Sequence, residues 1–133
     1  MALEFARQGA HLALSGRRED RLQEVAAEVQ SLHRKALVLP CDVTDENTLQ
    51  KTVQSIITEF SRLDIAVANA GFAVNGTVDI LQKSEWEKQF SVNVIGLAST
   101  IKAALPHLKE QQGRMVLIGS GAAWLHVPRS TAY

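Results

Sequence analysis

The sequence predicts an α/β domain built on a doubly wound parallel sheet, with helices on both faces. Three observations carry this prediction. Short apolar runs alternate with longer segments whose apolar residues recur three and four positions apart. The run Leu63–Gly71 is too short for a helix and is typical of a strand buried on both faces. It ends in Asn69, Ala70 and Gly71, which leave room for a ligand at the carboxyl edge of the sheet, where open α/β sheets bind their ligands.

The predicted elements alternate regularly along the chain. The first helix is closed by Gly9, a residue type common after helix ends. Thr44 and Asp45 are both candidates to cap the third helix, and Ser84 is the candidate for the fourth, which Pro106 ends or bends. The loop 72–83 is expected to be exposed. The predicted strands are 10–15, 36–39, 63–71 and 114–120, and three of the predicted helices are 1–7, 19–32 and 84–108. The third helix along the chain is predicted to bury Leu49, Val53, Ile56, Ile57 and Phe60.

Length and composition are those of one ordinary soluble domain. Hydrophobic residues make up 46% of the 133 residues, and 14 basic residues balance 14 acidic ones. This balance does not suggest nucleic acid or an anionic membrane as a partner, and no apolar run is long enough to cross a bilayer. The single cysteine, Cys41, fits a reducing compartment, so a cytoplasmic location is expected. The four histidines, at 11, 33, 107 and 126, share no metal-ligand spacing, so no metal site is predicted.

Asn93 is predicted to lie on the apolar face of the long fourth helix. The other members of that face are Trp86, Phe90, Leu97, Ile101, Ala104 and Leu108. A buried amide needs hydrogen-bond partners, since leaving it unsatisfied costs about 1–3 kcal/mol. A local helix-to-helix or helix-to-strand hydrogen bond would supply these partners. The other interpretation is that the amide has a functional role.

Ser120 and Tyr133 stand at the two ends of the last loop. A serine that ends a strand is usually a turn or capping residue, and a terminal tyrosine is usually a surface aromatic. Taken singly, neither residue indicates a function.

Arg17 and Arg18 follow the first strand. Two arginines in a turn are usually solvated, but beside an adenosine ribose at the carboxyl edge of a sheet an arginine can neutralise a 2′-phosphate. A site that prefers NAD holds an acid there instead. Because no acid precedes these arginines, NADP is favoured over NAD.

In combination, five motifs resemble the short-chain dehydrogenase/reductase family of the classical type. They are Ser15-Gly16-Arg17-Arg18, Cys41-Asp42-Val43-Thr44, Ala68-Asn69-Ala70-Gly71, Asn93-Val94-Ile95-Gly96 and Ser120…Tyr133, in the family's order. Ser120 lies 13 residues before Tyr133 and 27 after Asn93, similar to the family's usual spacings. The resemblance covers essentially the whole chain. It implies a Rossmann-type sheet and an NAD(P)-dependent oxidoreductase of a small-molecule carbonyl or alcohol.

For the cofactor, the resemblance implies a role for each matching residue. Asp42 would contact the adenine, with Val43 beside it. The turn at Arg17 and Arg18 would hold the additional phosphate of NADP. The segment that would support the sheet and lie along the cofactor ribose consists of Asn69, Ala70 and Gly71.

For catalysis, the resemblance implies three roles. Ser120 would orient the substrate carbonyl. Tyr133 would exchange a proton with the substrate oxygen while hydride moves to or from the nicotinamide. Asn93 would anchor a water in the proton relay. Trp124, Leu125 and His126 give a hint of the substrate-pocket wall.

The match implies a partial NAD(P)-binding Rossmann domain over residues 1–133, which lacks the first strand and the C-terminal part. No Gly-rich phosphate loop is present, and the family's lysine four residues beyond the tyrosine is not in the chain. Without a neighbouring cation Tyr133 would be a poor base near neutral pH, so the chain alone is expected to be inactive. In the strand order 3-2-1-4-5 the missing strand leaves a gap. The chain is then either marginally stable or closes the gap by pairing Ala10–Ser15 with Ile65–Asn69.

One other function is open, and a second is disfavoured. A truncated, non-catalytic form could pair with a full-length relative through helix 84–108, which resembles a family dimerisation surface, and a homo-oligomer could form in the same way. A different nucleotide-binding α/β domain would not account for Asn93, Ser120 and Tyr133 together.

Overall fold

The computed structural model describes residues 1–125 and 127–133, which divide into two compact units, Met1–Ser61 and Arg62–Tyr133. Each unit contains one pair of parallel strands together with helices. The predicted α/β class with parallel strands is therefore confirmed.

The first unit alternates helices and strands as the sequence predicts. Strands β1 and β2 pair in parallel, from Leu12 opposite Ala36 to Gly16 opposite Pro40. Its elements are α1 (Ala2–Arg7), β1 (Leu12–Gly16), α2 (Glu19–Ser31), β2 (Ala36–Pro40) and α3 (Glu46–Phe60).

Of the two capping candidates, Thr44 and Asp45, it is Asp45 that caps helix α3. The Asp45 carboxylate accepts the backbone N–H groups of Asn47 at 3.0 Å and Thr48 at 3.1 Å. These two groups have no partner within the helix, so the carboxylate satisfies donors that the fold would otherwise leave to solvent. On its inner face α3 buries Leu49 and Val53.

The second unit contains β3 (Ile65–Ala68), α4 (Lys83–Phe90), a π-helical turn (Ser91–Gly96), α5 (Leu97–Glu110), β4 (Arg114–Leu117) and a 3₁₀ turn (Gly121–Ala123). Strands β3 and β4 pair in parallel, with Ile65 opposite Arg114 and Ala68 opposite Leu117. None of the helices in the described ranges is both long enough and apolar enough to cross a membrane.

Four of the described helices, α1, α2, α3 and α5, are followed by a residue with a left-handed backbone. After α1 that residue is Gly9, as predicted, with a φ of 100°. After α5 it is Gln112, with a φ of 51°, and the N–H of Gly113 then donates to the carbonyl of Leu108 at 2.8 Å. This six-to-one bond satisfies a carbonyl at the end of the helix, but a residue with a Cβ pays a steric cost in this conformation.

The strand pairing corrects two expectations. Since β1 pairs with β2 and β3 with β4, the alternative in which residues 10–15 pair with residues 65–69 is wrong. The expectation that β3 is buried on both faces is also wrong, because only Ala68 is buried and Ile65 is 44% exposed.

The start of the long helix also differs from its prediction. The helix begins at Lys83 after Gln82, whose N–H donates to the carboxylate of Glu85 at 2.8 Å. Ser84 is therefore a first-turn residue rather than the cap. The helix also runs through Pro106 to Glu110, so the proline does not end it.

The π-helical turn changes which side chains of α4 face inward. Gln89 is 1% exposed, whereas Phe90, predicted to be buried, is 49% exposed. Bonds from i to i+5 place one more residue in the turn than the α-helical pattern allows. The inner face before the turn is therefore displaced by one residue relative to Ala104 and Leu108, which are buried as predicted.

Candidate active site

Arg17 and Arg18 lie at the carboxyl edge of the β1–β2 pair. Arg17 directly follows β1, and Arg18 is the N-cap residue of α2, with its carbonyl accepting the N–H of Leu22 at 3.1 Å. Both arginines are exposed, and within the described ranges neither guanidinium forms a hydrogen bond or an ion pair. Their charges are therefore available to an anion at this edge.

Asp42 lies at the same edge, just beyond β2. The N–H of Cys41 donates to the carbonyl of Gly16 at 2.9 Å, which holds the two strand ends together. The Oδ1 atom of Asp42 accepts the backbone N–H of Thr44 at 3.0 Å and its hydroxyl at 2.8 Å. These two hydrogen bonds, with a further contribution from the charge of Arg17, lower the pKa of Asp42.

The first unit thus brings together predicted cofactor residues on one edge. Arg17 is near enough to Asp42 to act on its carboxyl group electrostatically. Val43 follows Asp42 and is half-buried. An ionised carboxylate beside uncommitted guanidinium groups offers both acceptors and donors to a polar ligand.

Asn69, Ala70 and Gly71 follow β3 and are all exposed. Ala68, the last residue of the strand, accepts the N–H of Ile118 at 3.0 Å, so the ladder closes just before this segment. The exposure of these residues leaves the segment accessible, and its place along a cofactor ribose stays a prediction.

Asn93 clamps the chain immediately after Gly71. Its Oδ1 accepts the N–H of Phe72 at 3.0 Å, and its Nδ2 donates to the carbonyl of the same residue at 2.9 Å. The amide therefore pairs with Phe72 as a residue of a neighbouring strand would. The partner of the amide is thus a loop residue, neither a helix nor a strand residue as the sequence suggested, and a role in a proton relay stays a prediction.

Ser120 and Tyr133 both lie in the second unit. Ser120 comes three residues after β4 and caps the 3₁₀ turn, its Oγ accepting the N–H of Ala122 at 3.1 Å. Tyr133 is 50% exposed, and its backbone N–H donates to the carbonyl of Ser130 at 3.1 Å. In the part of the chain that the structure describes, no hydrogen bond joins the two hydroxyls.

Gln89 is a candidate that the sequence analysis missed. Its Oε1 accepts the N–H of Val74 at 2.6 Å, and its Nε2 donates to the carbonyl of Ala132, the residue before Tyr133. The sequence signal that could have identified Gln89 is its position, four residues before Asn93. Because the sequence analysis assumed an unbroken α-helix, Gln89 was not counted among the residues of the apolar face.

The loop after β3 also pairs with the end of the chain. Gly76 donates its N–H to the carbonyl of Arg129 at 2.7 Å and accepts the N–H of Thr131 at 3.4 Å, which makes a parallel bridge with Ser130. Gly76 is buried, so the expectation of an exposed loop fails at this position. The second unit therefore links the segment after Gly71 to the segment that precedes Tyr133.

The remaining predictions about the site concern a pocket wall and metals. Trp124 is 90% and Leu125 68% exposed, while His126 lies outside the described residues.

No group of three or more His, Cys, Asp or Glu residues in the described ranges could hold a metal ion. A groove lined by His11, His33 and Arg34, among others, lies at the amino ends of β1 and β2, away from the residues above.

The parallel pairs, their helices and the residues at the carboxyl edges define a Rossmann-type domain. The sequence model of the family described as short chain dehydrogenase matches residues 1–133. The chain belongs to this short-chain dehydrogenase family, which confirms the predicted resemblance.

Curated relatives support the same assignment. The chain is 36% identical over 135 residues to 11-beta-hydroxysteroid dehydrogenase 1A of Arabidopsis thaliana and 33% identical over 138 residues to 11-beta-hydroxysteroid dehydrogenase A of Sesamum indicum. Each match covers 100% of this chain and 39% of the relative. The chain thus spans about two-fifths of the length of these relatives.

Solved structures share the fold. An alcohol dehydrogenase from Thermococcus sibiricus, complexed with 5-hydroxy-NADP, matches 99% of this chain with a TM-score of 0.92 and 28% identity, over 57% of its own length. An NAD⁺-bound xylitol dehydrogenase matches 99% with a TM-score of 0.94 and 28% identity, over 52% of its length. A 3-ketoacyl-ACP reductase from Sinorhizobium meliloti 1021 matches 99% with a TM-score of 0.94 and 33% identity, over 53% of its length.

Proposed function

We propose that the chain carries residues of an NADP-preferring oxidoreductase that moves hydride between the cofactor and a carbonyl or alcohol substrate. The observation that carries the proposal is that Asn93, Ser120 and Tyr133 occur together, in family order, in a chain that belongs to the family. The chain by itself is expected to be inactive. A cytoplasmic location, based on the single cysteine, stays a prediction.

The preference for NADP rests on Arg17 and Arg18. Bound cofactors differ among the structural relatives, one being a complex with 5-hydroxy-NADP and another NAD⁺-bound, so the chain's own residues must decide. Two exposed guanidinium groups without ion-pair partners in the described ranges suit a 2′-phosphate, whose geometry a guanidinium can match with two hydrogen bonds. Nearby Asp42 would face the adenine.

The hydroxyl groups of Ser120 and Tyr133 would act on the substrate oxygen. The cofactor, when bound, supplies or accepts the hydride. The Oγ of Ser120 is an acceptor toward Ala122, which leaves its hydrogen for donation to a substrate carbonyl. Tyr133 would give a proton to that oxygen during reduction and take it back during oxidation. Asn93, by fixing Phe72, would keep the chain beyond the ribose segment in place.

Adenosine 2′-monophosphate tests the cofactor preference without requiring the phosphate loop. It is titrated into the 133-residue chain, with adenosine 5′-monophosphate for comparison, while the amide NMR signals of Arg17, Arg18 and Asp42 are followed. We expect tighter binding of the 2′-phosphate, and a loss of about tenfold in Arg17→Ala, equivalent to about 1.4 kcal/mol. Arg21→Ala, in the first turn of α2, is the matched control and should bind unchanged. Equal affinity for the two nucleotides would contradict the preference for NADP.

A carbonyl-reduction assay with NADPH tests the activity itself. We expect no turnover by the 133-residue chain. Reduction that Tyr133→Phe abolishes would refute the expected inactivity and support the role of Tyr133. Reduction that survives Tyr133→Phe would refute that role.

The alternative, a non-catalytic form that pairs through helix 84–108, is favoured by exposed apolar side chains. Phe90, Val94, Ile95 and Leu105 are between 40% and 59% exposed, and an apolar patch of this kind marks many interaction surfaces. Sedimentation of the purified chain, alone and with a full-length relative, tests this function. Ile95→Lys should weaken any association, whereas Val78→Lys, an exposed position outside the helix, should not.

A further inference from the structure

Gln89, in α4, and Asn93, in the π-helical turn that follows it, are side-chain amides that hold the same loop segment. They are four residues apart in the chain, and they bind the backbone of Val74 and Phe72, which are two residues apart. The two amides therefore hold the loop after Gly71 at alternate residues, through hydrogen bonds to its backbone.

Gln89 differs from Asn93 in where its second hydrogen bond goes. Both bonds of Asn93 go to Phe72, whereas Gln89 joins Val74 to Ala132, 43 residues further along the chain from the glutamine. The bridge between Gly76 and Ser130 lies beside this connection. One side chain thus ties the loop after β3 to the residue that precedes Tyr133.

The burial of Gln89 is unusual enough to need a reason. It is among the two largest fully buried side chains of the described residues. An apolar side chain would fill the same space without the desolvation cost of an amide. The glutamine fills it with two hydrogen bonds to separate backbone segments, which fix the distance between those segments as apolar packing would not.

We propose that Gln89 is a positioning residue for Tyr133. By holding the carbonyl of Ala132 against the segment of Val74, it fixes the backbone from which the tyrosine side chain projects. This inference rests on the proposed function in one respect, namely that Tyr133 acts on the substrate oxygen. The positioning itself can be measured without any catalysis.

Amide ¹⁵N relaxation of the 133-residue chain measures the positioning directly. An order parameter of about 0.85 indicates a rigid backbone, and one below about 0.6 a flexible one. We expect rigid values at Ala132 and Tyr133 in the unaltered chain, with a nuclear Overhauser contact between the Gln89 side-chain amide and Ala132. Flexible values, or no such contact, would overturn the proposal before any variant is made.

Two variants distinguish the hydrogen bond made by the Oε1 of Gln89 from the one made by its Nε2. Gln89→Glu keeps an acceptor for Val74 but loses the donor to Ala132, so the order parameter of Tyr133 should fall below about 0.6 while the Val74 amide stays protected from exchange. Gln89→Met loses both bonds, and exchange of the Val74 amide should also rise at least tenfold. Gln50→Met, at an exposed position of α3, is the matched control and should change neither.

The outcomes distinguish this proposal from the proposed function. A rigid Tyr133 in Gln89→Glu would refute the positioning role and would leave the assignment of Tyr133 untouched. If Gln89→Met does not fold, Gln89→Glu and the contact in the unaltered chain decide. In a longer form that turns over, Gln89→Glu should lower kcat by more than it changes KM, whereas a loss of fold would lower the amount of active protein without changing KM.

Discussion

The two hydrogen bonds between Asn93 and Phe72 can be tested with a substitution that replaces the side-chain NH2 group of Asn93 by an oxygen. Asn93→Asp preserves the shape of the side chain and keeps an oxygen that can accept the N–H of Phe72. In the unaltered chain the Oδ1 of Asn93 accepts this N–H at 3.0 Å. It removes the donor that meets the Phe72 carbonyl at 2.9 Å and sets a second oxygen against that carbonyl. Losing the bond costs about 1 kcal/mol, and leaving a partly buried carbonyl unpaired adds about 1–2 kcal/mol. We therefore expect a loss of about 2–3 kcal/mol in unfolding free energy near pH 7.

The same variant predicts a dependence on pH. Repulsion from the carbonyl raises the folded-state pKa of the introduced carboxyl above its unfolded value of about 3.9. Below that unfolded value the carboxyl is protonated in both states and can donate to the carbonyl of Phe72, so part of the lost stability returns. As the pH rises through the raised folded-state value, the loss grows to its full size.

Urea unfolding of Asn93→Asp and of the unaltered chain, at a series of pH values from 3 to 7, measures both effects. Asn75→Asp is the matched control, since Asn75 is exposed in the same loop, and it should change stability by no more than about 0.5 kcal/mol. A loss at pH 7 no greater than that of the control, or a loss that stays constant down to acidic pH, would refute the clamp as a source of stability.

Three further changes are expected to act through single contacts. Asp45→Ala should lower the unfolding free energy by about 1 kcal/mol in urea, because it removes the cap of α3, and equal stability would contradict this. Gln112→Gly should raise it by about 0.5–1 kcal/mol in thermal unfolding, because glycine tolerates the left-handed backbone; a lower melting temperature would refute the reasoning. The lowered pKa of Asp42 makes the folded state lose stability as the pH falls below about 4 through the folded-state value. Thr44→Val should make this acid-induced loss smaller, and an unchanged pH profile would be evidence against the bond.

Local signals in the sequence predict the elements well. Helix α2 was expected at 19–32 and runs from Glu19 to Ser31, because amphipathic spacing and acidic first-turn residues act within a few positions. The left-handed backbone of Gly9 after α1 was expected from the conformational freedom of glycine. The exposed backbone from Asn69 to Gly71 was expected from small residues at a strand end.

Contacts between distant segments could not be predicted in the same way. The inward face of α4 depends on the π-helical turn, which no residue between Ser91 and Gly96 signals by its type. Gln89 therefore escaped notice and Phe90 was placed inside. The burial of Gly76 depends on its bridge to Ser130, 54 residues later, and spacing within one element carries no information about such a pair.

The division of the chain between Ser61 and Arg62 has a consequence for protein engineering. The residues proposed to read the adenosine 2′-phosphate, Arg17 and Arg18, are encoded before that junction, and those proposed to handle the substrate oxygen, Ser120 and Tyr133, are encoded after it. The residues proposed for the choice of coenzyme and those proposed for the chemistry therefore occupy consecutive, non-overlapping stretches of the gene. A crossover at this single point with a relative would exchange the first set of residues and keep every residue of the second set.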